Sequence, residues 1–154
     1  MVIGDNDDTV GFTTKFTDNV LLYPATRDGF DIATYHSKCT TNSNINTLFI
    51  FQTKSNYVFG GFVQTNMTSS TWLTDPNAFI YSFRRNGTTN FNLLRSGSST
   101  DPISANAFYS GSSYGPLFGG GYDLYICSNS NVTSGSYSNL CHSYECPSML
   151  LIHL

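Results

Sequence analysis

His36 and Cys39 stand three apart in a stretch that reads as a helix, so their side chains share a face. A thiol and an imidazole so placed could form an activated nucleophile, or supply two zinc ligands together with Cys141 or Cys146. There is no C-x-x-C, and the spacing of Cys141 and Cys146 is unusual for zinc. Packing, with a satisfied histidine hydrogen bond, is therefore the favoured reading, and no metal is expected. Acid–base chemistry wants paired carboxylates or a carboxylate beside a histidine. Glu145 is the sole glutamate, and Asp28, Asp31, Asp75 and Asp123 fall at turns or strand starts, where aspartate caps backbone groups. Asp5-Asn6-Asp7-Asp8 begins like a calcium loop but lacks its glycine and distal glutamate. The run Gly119-Gly120-Gly121 invites a phosphate cradle. Such a cradle needs a following helix and usually Lys-Ser/Thr, whereas here a strand follows and Asp123 would repel phosphate. A tight turn with positive φ or close backbone contact is the structural use of those glycines. No catalytic constellation is recognisable, and no cofactor is expected.

The background is aromatic and nearly neutral. Seven Lys and Arg oppose ten acidic residues, a formal net charge of −3, and the densest basic cluster is Arg84-Arg85. Counterion-releasing contact with nucleic acid needs far more positive charge, as does a polybasic membrane patch. No apolar run approaches the roughly 20 residues that span a bilayer, so no membrane insertion is expected. Twelve Phe and ten Tyr can fill a core in a chain of 154 residues, a length that suits one domain. The sequons Asn66-Met67-Thr68, Asn86-Gly87-Thr88 and Asn131-Val132-Thr133 fit a secreted protein. Chance explains them in a chain this rich in Asn and Thr, and the acidic start Met1–Asp8 is unlike a signal peptide. The expectation is a cytoplasmic protein whose irregularly spaced cysteines are free thiols.

Val20–Ala25 reads as a strand that Pro24 pushes to an edge. Asp28-Gly29 is a turn, and Asp31 N-caps a short helix through Ile32, Ala33, Tyr35 and His36. Thr47–Thr53 and Tyr57–Gln64 form a hairpin, with Gly60-Gly61 marking a bulge or a close backbone approach. Asn66–Thr74 is a polar loop carrying Trp72, the sole tryptophan, and Asp75-Pro76-Asn77 is a turn. Ala78–Phe83, Phe91–Leu94 and Tyr122–Cys127 are further strands, the first two separated by the Asn86-Gly87 turn. Many strands and little helix point to a mainly β fold with short helices, of β-sandwich type.

Three stretches in order carry a family resemblance. The first is Leu22-Tyr23-Pro24-Ala25-Thr26-Arg27-Asp28-Gly29-Phe30 followed by Tyr35–Cys39. The second is Tyr57–Phe62, Trp72 and Asp75–Phe83. The third is Ser113-Tyr114-Gly115-Pro116-Leu117-Phe118-Gly119-Gly120-Gly121-Tyr122-Asp123-Leu124-Tyr125-Ile126. Over about residues 20–146 this pattern resembles the TLDc domain, found in the oxidation-resistance proteins of eukaryotes. The resemblance implies a two-sheet antiparallel β-sandwich, α+β in class because of its short helices. It also implies a protein partner, the vacuolar proton-pumping ATPase, and a link to protection from oxidative damage. Residues 1–19 are a polar lead-in shorter than the family's. Residues 147–154 form an apolar tail where the family has a final acidic strand. Either that tail takes the strand's place, or the chain is a truncated or misread product and the sandwich lacks its final strand.

These residues are expected to make a non-enzymatic interaction module. Trp72, Asp75 and Asn77 are the candidate contact, because binding residues concentrate on loops held by a rigid scaffold. Gly60, Gly61, Gly119, Gly120, Gly121 and Asp123 are expected to be structural. Two alternatives stay open: a thiol-based redox-protective activity using Cys39 or another cysteine, and a secreted glycan-binding β-sandwich.

Overall fold

A computed structural model describes residues 20–40, 46–68, 70–85, 87–97 and 104–145. The expectations for residues 1–19 and 147–154, including the question of a final strand, lie outside them, as does Cys146. Helix α1 is Ala25–Asp28 and α2 is Ile32–Cys39; the strands are β1 Thr47–Gln52, β2 Val58–Val63, β3 Trp72–Leu73, β4 Phe79–Arg85, β5 Thr88–Arg95, β6 Phe108–Tyr109, β7 Leu117–Phe118 and β8 Leu124–Tyr125. One sheet runs β1-β2-β4-β5 and the other β3-β6-β7-β8. Every pairing is antiparallel. The mainly β, two-sheet architecture expected from the sequence is the one observed.

Side-chain alternation along each strand explains how the sheets pack. On the inner face of the first sheet, one row across the strands is Phe49, Gly61, Ile80 and Leu94. On the inner face of the second, the row is Leu73, Phe108, Phe118 and Leu124. All are buried. The rows meet through Phe49, whose ring lies 5.6 Å from both Phe108 and Phe118. Burying each such ring contributes about 1.5–3 kcal/mol. Phe118 can approach only because Gly61 has no side chain: a Cβ there would lie 2.4 Å from the ring's Cζ. Gly60, on the opposite face, lies beneath Tyr81, whose hydroxyl crosses β2 to donate to the Phe49 carbonyl at 2.8 Å. The two glycines thus serve close approach, and the shift in register falls beside them, between Val58 and Phe59.

Helix α2 begins where expected. Asp31 accepts from the Thr34 amide at 2.8 Å and from its hydroxyl at 2.7 Å, satisfying a donor that the first turn cannot. Val20–Ala25 is not a strand. Pro24 instead N-caps α1, and Gly29, at φ +96°, closes it. The apolar side chains of Leu22 and Tyr23 pack on the core from a coil, so their hydrophobicity reported burial rather than extended pairing. The turn expected at Asn86-Gly87 is present at Gly87, φ +78°. β5 is longer than Phe91–Leu94 and β8 shorter than Tyr122–Cys127. The latter strand begins late because Tyr122 is held in the turn at φ +63°.

Candidate functional site

The outer face of the second sheet carries aromatic side chains in a line. Register places Trp72 beside Tyr109, Tyr109 beside Leu117 and Leu117 beside Tyr125. A further antiparallel bridge adds Tyr137 beyond Tyr125. Their neighbours in sequence, Leu73, Phe108, Phe118 and Leu124, point into the core, so period-two alternation sends these rings outward. Tyr114 and Tyr122 enter from the turns before and after β7. Ring centroids run 5.0 Å from Trp72 to Tyr109, 5.4 Å on to Tyr114, 6.0 Å to Tyr125 and 5.7 Å to Tyr137. Tyr122 stacks on Tyr137 at 5.6 Å with 13° between planes. All six are partly exposed, and Tyr137 is the most open at 45%.

Backbone contacts hold the line in place. His36 of α2 donates from Nε2 to the Tyr114 carbonyl at 2.7 Å, fixing the turn that presents that ring. Tyr125 and Tyr137 exchange amide–carbonyl bonds of 2.9 and 3.1 Å. A hydrogen bond with Tyr114, followed by burial, pushes the Tyr122 hydroxyl up to about 12.

The turn between β7 and β8 supports this face from behind. Gly119 has φ +78°, and a Cβ on it would strike the Asp123 carboxylate. A Cβ on Gly121 would strike His142, and the Gly120 amide donates to Ser143 Oγ at 2.9 Å. Asp123 is fully buried and accepts from three successive amides, His142 and Ser143 at 3.0 Å and Tyr144 at 3.3 Å. Burial pushes its carboxyl up from the ordinary value, while those three hydrogen bonds favour the charged form. Gly119, Gly120, Gly121 and Asp123 therefore form one clamp that fastens the chain after Tyr137 to the sheet. Of the three glycines only Gly119 has the positive φ.

The sequence-derived contact residues do not come together as one exposed loop. Trp72 lies in β3 and packs on Tyr109, which makes it one end of the aromatic line; a short paired strand was hidden inside a polar stretch. Asp75 is only 3% exposed. It accepts from the amides of Gln64 at 2.6 Å, Thr65 at 3.2 Å and Asn77 at 2.9 Å, so it caps the end of β2 and cannot present itself to a partner. Asn77 is exposed and donates to Gln64 Oε1 at 2.6 Å. Sequence reasoning missed Tyr109, Tyr114, Tyr122, Tyr125 and Tyr137. Only the alternation of Leu124 and Tyr125 gave any signal, because the other rings gather through pairings distant in sequence.

The thiols divide. Cys39 is 2% exposed, and burial pushes its thiol up to about 11. A buried thiol so raised is mostly protonated near neutral pH, and the protonated form is the unreactive one. Burial also works to raise Cys127, but hydrogen bonds from Ser136, Thr133 and nearby amides outweigh it together and set that thiol below its ordinary value. Cys141 is disulfide-bonded, which corrects the expectation that all four cysteines are free; Cys39 and Cys127 are. Among the described residues no group of three or more His, Cys, Asp or Glu could hold a metal ion, and no helix is long and apolar enough to cross a membrane. Because the thiolate is the reactive form, brief iodoacetamide treatment of the folded protein near neutral pH is expected to alkylate Cys127 and spare Cys39. Peptide mass mapping reads the order, and equal labelling of Cys39 would contradict the burial argument.

No curated protein and no solved structure matches the chain. The family model of the TLDc domain matches residues 8–152. That match spans nearly all of a fold with two antiparallel sheets and short helices, and it takes in the Gly119–Asp123 clamp and the whole aromatic line: this chain belongs to the TLDc domain family.

Proposed function

We propose that this chain is a non-enzymatic TLDc interaction module of the eukaryotic cytoplasm, which binds the vacuolar proton-pumping ATPase and so contributes to protection from oxidative damage. The observation that carries the reading is the outward line from Trp72 to Tyr137. Tyrosine and tryptophan dominate binding hot spots, since each gives large contact area at low entropic cost and keeps a polar tip for hydrogen bonding. Partly exposed rings already held by their neighbours lose little further freedom on docking. The partner and its setting come from the family, and the choice of surface comes from the geometry.

Capture from a eukaryotic lysate tests this. The tagged full chain is compared with Trp72→Ala and Tyr137→Ala, each first shown by circular dichroism to keep the wild-type spectrum. Wild type is expected to retain ATPase subunits. Loss of one hot-spot ring, about 2 kcal/mol, should weaken capture about 30-fold. Recovering no ATPase subunits with wild type would remove the partner; equal recovery with both variants would remove the aromatic line as the site.

A second reading, thiol-based redox protection, is favoured by the lowered Cys127 thiol. It requires Cys127, and not Cys39, to react with peroxide faster than free cysteine does, which mass spectrometry of the sulfenic acid measures. The Cys141 disulfide bears on the compartment. Cytoplasmic thiol systems keep such bonds reduced, so protein taken from cytoplasm under acid quench is expected to carry Cys141 as a thiol.

A further inference from the structure

We infer that Cys141 and Cys146 form a reversible disulfide that latches the segment His142–Glu145, so that a thiol oxidant tightens the joint between the two sheets and a reductant loosens it. Such a latch works whichever partner the module binds. The pairing follows by elimination. The chain has four cysteines. Cys39 and Cys127 are free and Cys141 is disulfide-bonded, which leaves Cys146. The bond then closes a short loop around His142, Ser143, Tyr144 and Glu145.

Those residues tie the sheets together. On the side of the second sheet, the amides of His142, Ser143 and Tyr144 donate to the Asp123 carboxylate, and Ser143 Oγ accepts from the Gly120 amide. The Tyr144 hydroxyl donates to the Ala107 carbonyl at 2.7 Å, and its ring lies 6.3 Å from Phe118. On the side of the first sheet, Tyr144 bridges Ser96 in antiparallel fashion just past β5. The Gly97 amide donates to the Ser143 carbonyl at 2.9 Å, and the Glu145 amide donates to the Arg95 carbonyl at 3.0 Å. A crosslink across this segment reduces the freedom that it gains on opening, which favours the fastened state.

The bond is placed to be reversible. Cys141 is exposed, within reach of a small thiol or disulfide. Its φ of +80° lies in the left-handed region, which a residue with a Cβ adopts at a cost. Exposed and strained disulfides are the readily reduced ones. The step is thiol–disulfide exchange with a small disulfide such as oxidised glutathione. One cysteine thiolate attacks a glutathione sulfur, the glutathione S–S bond breaks, and a mixed disulfide forms as one glutathione thiolate leaves. The second cysteine thiolate then attacks the protein sulfur of that mixed disulfide and displaces the other glutathione. Two protein thiols lose two electrons, one oxidised glutathione gains them, and the two protons end on the two glutathione sulfurs.

Equilibrating the full chain in buffers of reduced or oxidised glutathione tests the latch. Acid quench, blocking of free thiols and chymotryptic mapping read the bond, because cleavage after Leu140 and Tyr144 separates the Cys141 and Cys146 peptides unless they are linked. The linked pair is expected in the oxidising buffer and not in the reducing one. Oxidation should raise the melting temperature by about 5 °C and slow hydrogen exchange at the Ser143 and Tyr144 amides at least about 10-fold. Cys146→Ser should melt where reduced wild type does and ignore the buffer, whereas Cys127→Ser should keep the whole shift. Folding of each variant is checked by circular dichroism. Mapping and exchange use wild type alone, so they decide the matter even where a variant fails to fold. Melting temperatures within about 1 °C of each other in the two buffers, or unchanged exchange at Ser143 and Tyr144, would overturn the latch. So would a bond from Cys141 to Cys127, or to a second copy, seen as a dimer on a non-reducing gel.

Discussion

Replacing Asp123 with alanine is expected to cost about 3–5 kcal/mol, enough to leave the domain barely folded at 37 °C. The carboxylate accepts from the amides of His142, Ser143 and Tyr144, and Ser143 and Tyr144 are fully buried. Alanine leaves those amides without an acceptor, at about 1–3 kcal/mol for each buried donor. It also opens a hole beside Gly119. The loss should lower the melting temperature by about 10 °C or more, read by circular dichroism. Asp123→Asn separates shape from charge. The amide fills the space but turns an NH2 toward backbone N–H groups, so it too should destabilise, by less than alanine. A melting temperature for Asp123→Ala within about 2 °C of wild type, a shift of under about 1 kcal/mol, would show that the clamp is dispensable.

Gly61→Val should be comparably severe, above about 3 kcal/mol and beyond the usual 1–3 kcal/mol of overpacking. The added Cβ would lie 2.4 Å from Phe118 Cζ, closer than real contacts allow. That ring cannot retreat, because Phe49, Phe108 and Tyr144 surround it at centroid distances of 5.6, 5.0 and 6.3 Å. The substitution therefore pushes the two sheets apart where Phe118 meets β2. Gly120→Val makes the informative comparison. Its Cβ would meet Asn106 Cβ at 3.2 Å, a tight contact rather than a collision like that at Gly61, and its φ is not positive. Urea denaturation of the two variants should rank Gly61→Val well below Gly120→Val in midpoint. The reverse order would mean that the triple-glycine turn, not the contact between sheets, is the tighter constraint.

The sequence by itself determined the local chemistry. Asp31 announced the start of α2, because an N-cap acts within one turn of its own position. Thr47–Thr53 and Tyr57–Gln64 announced a hairpin, because apolar runs and a short gap are local signals. Gly60-Gly61 and Gly119–Gly121 announced close backbone approach, since little else favours consecutive glycines beside buried strands. The family, too, was legible in motifs whose order along the chain is itself sequence.

Only the tertiary structure decided what those motifs touch. The strands β3, β6 and β7 are two residues each, too short for alternation to register, and they exist because partners distant in sequence complete their hydrogen bonds. Val20–Ala25 had the apolar content of a strand, yet Tyr23 is buried and Leu22 half-buried from a coil; hydrophobicity specifies burial, not the backbone path that achieves it. Asp75 was legible as a backbone cap at a turn, but only the fold showed that the Gln64 and Thr65 amides are what it caps and that this buries it away from any contact. The aromatic line is the clearest case. Trp72, Tyr109, Tyr114, Tyr122, Tyr125 and Tyr137 are spread over 66 positions of the chain, and no local rule links them. They form one surface because antiparallel register fixes which residues lie side by side, and register is a property of the assembled sheet.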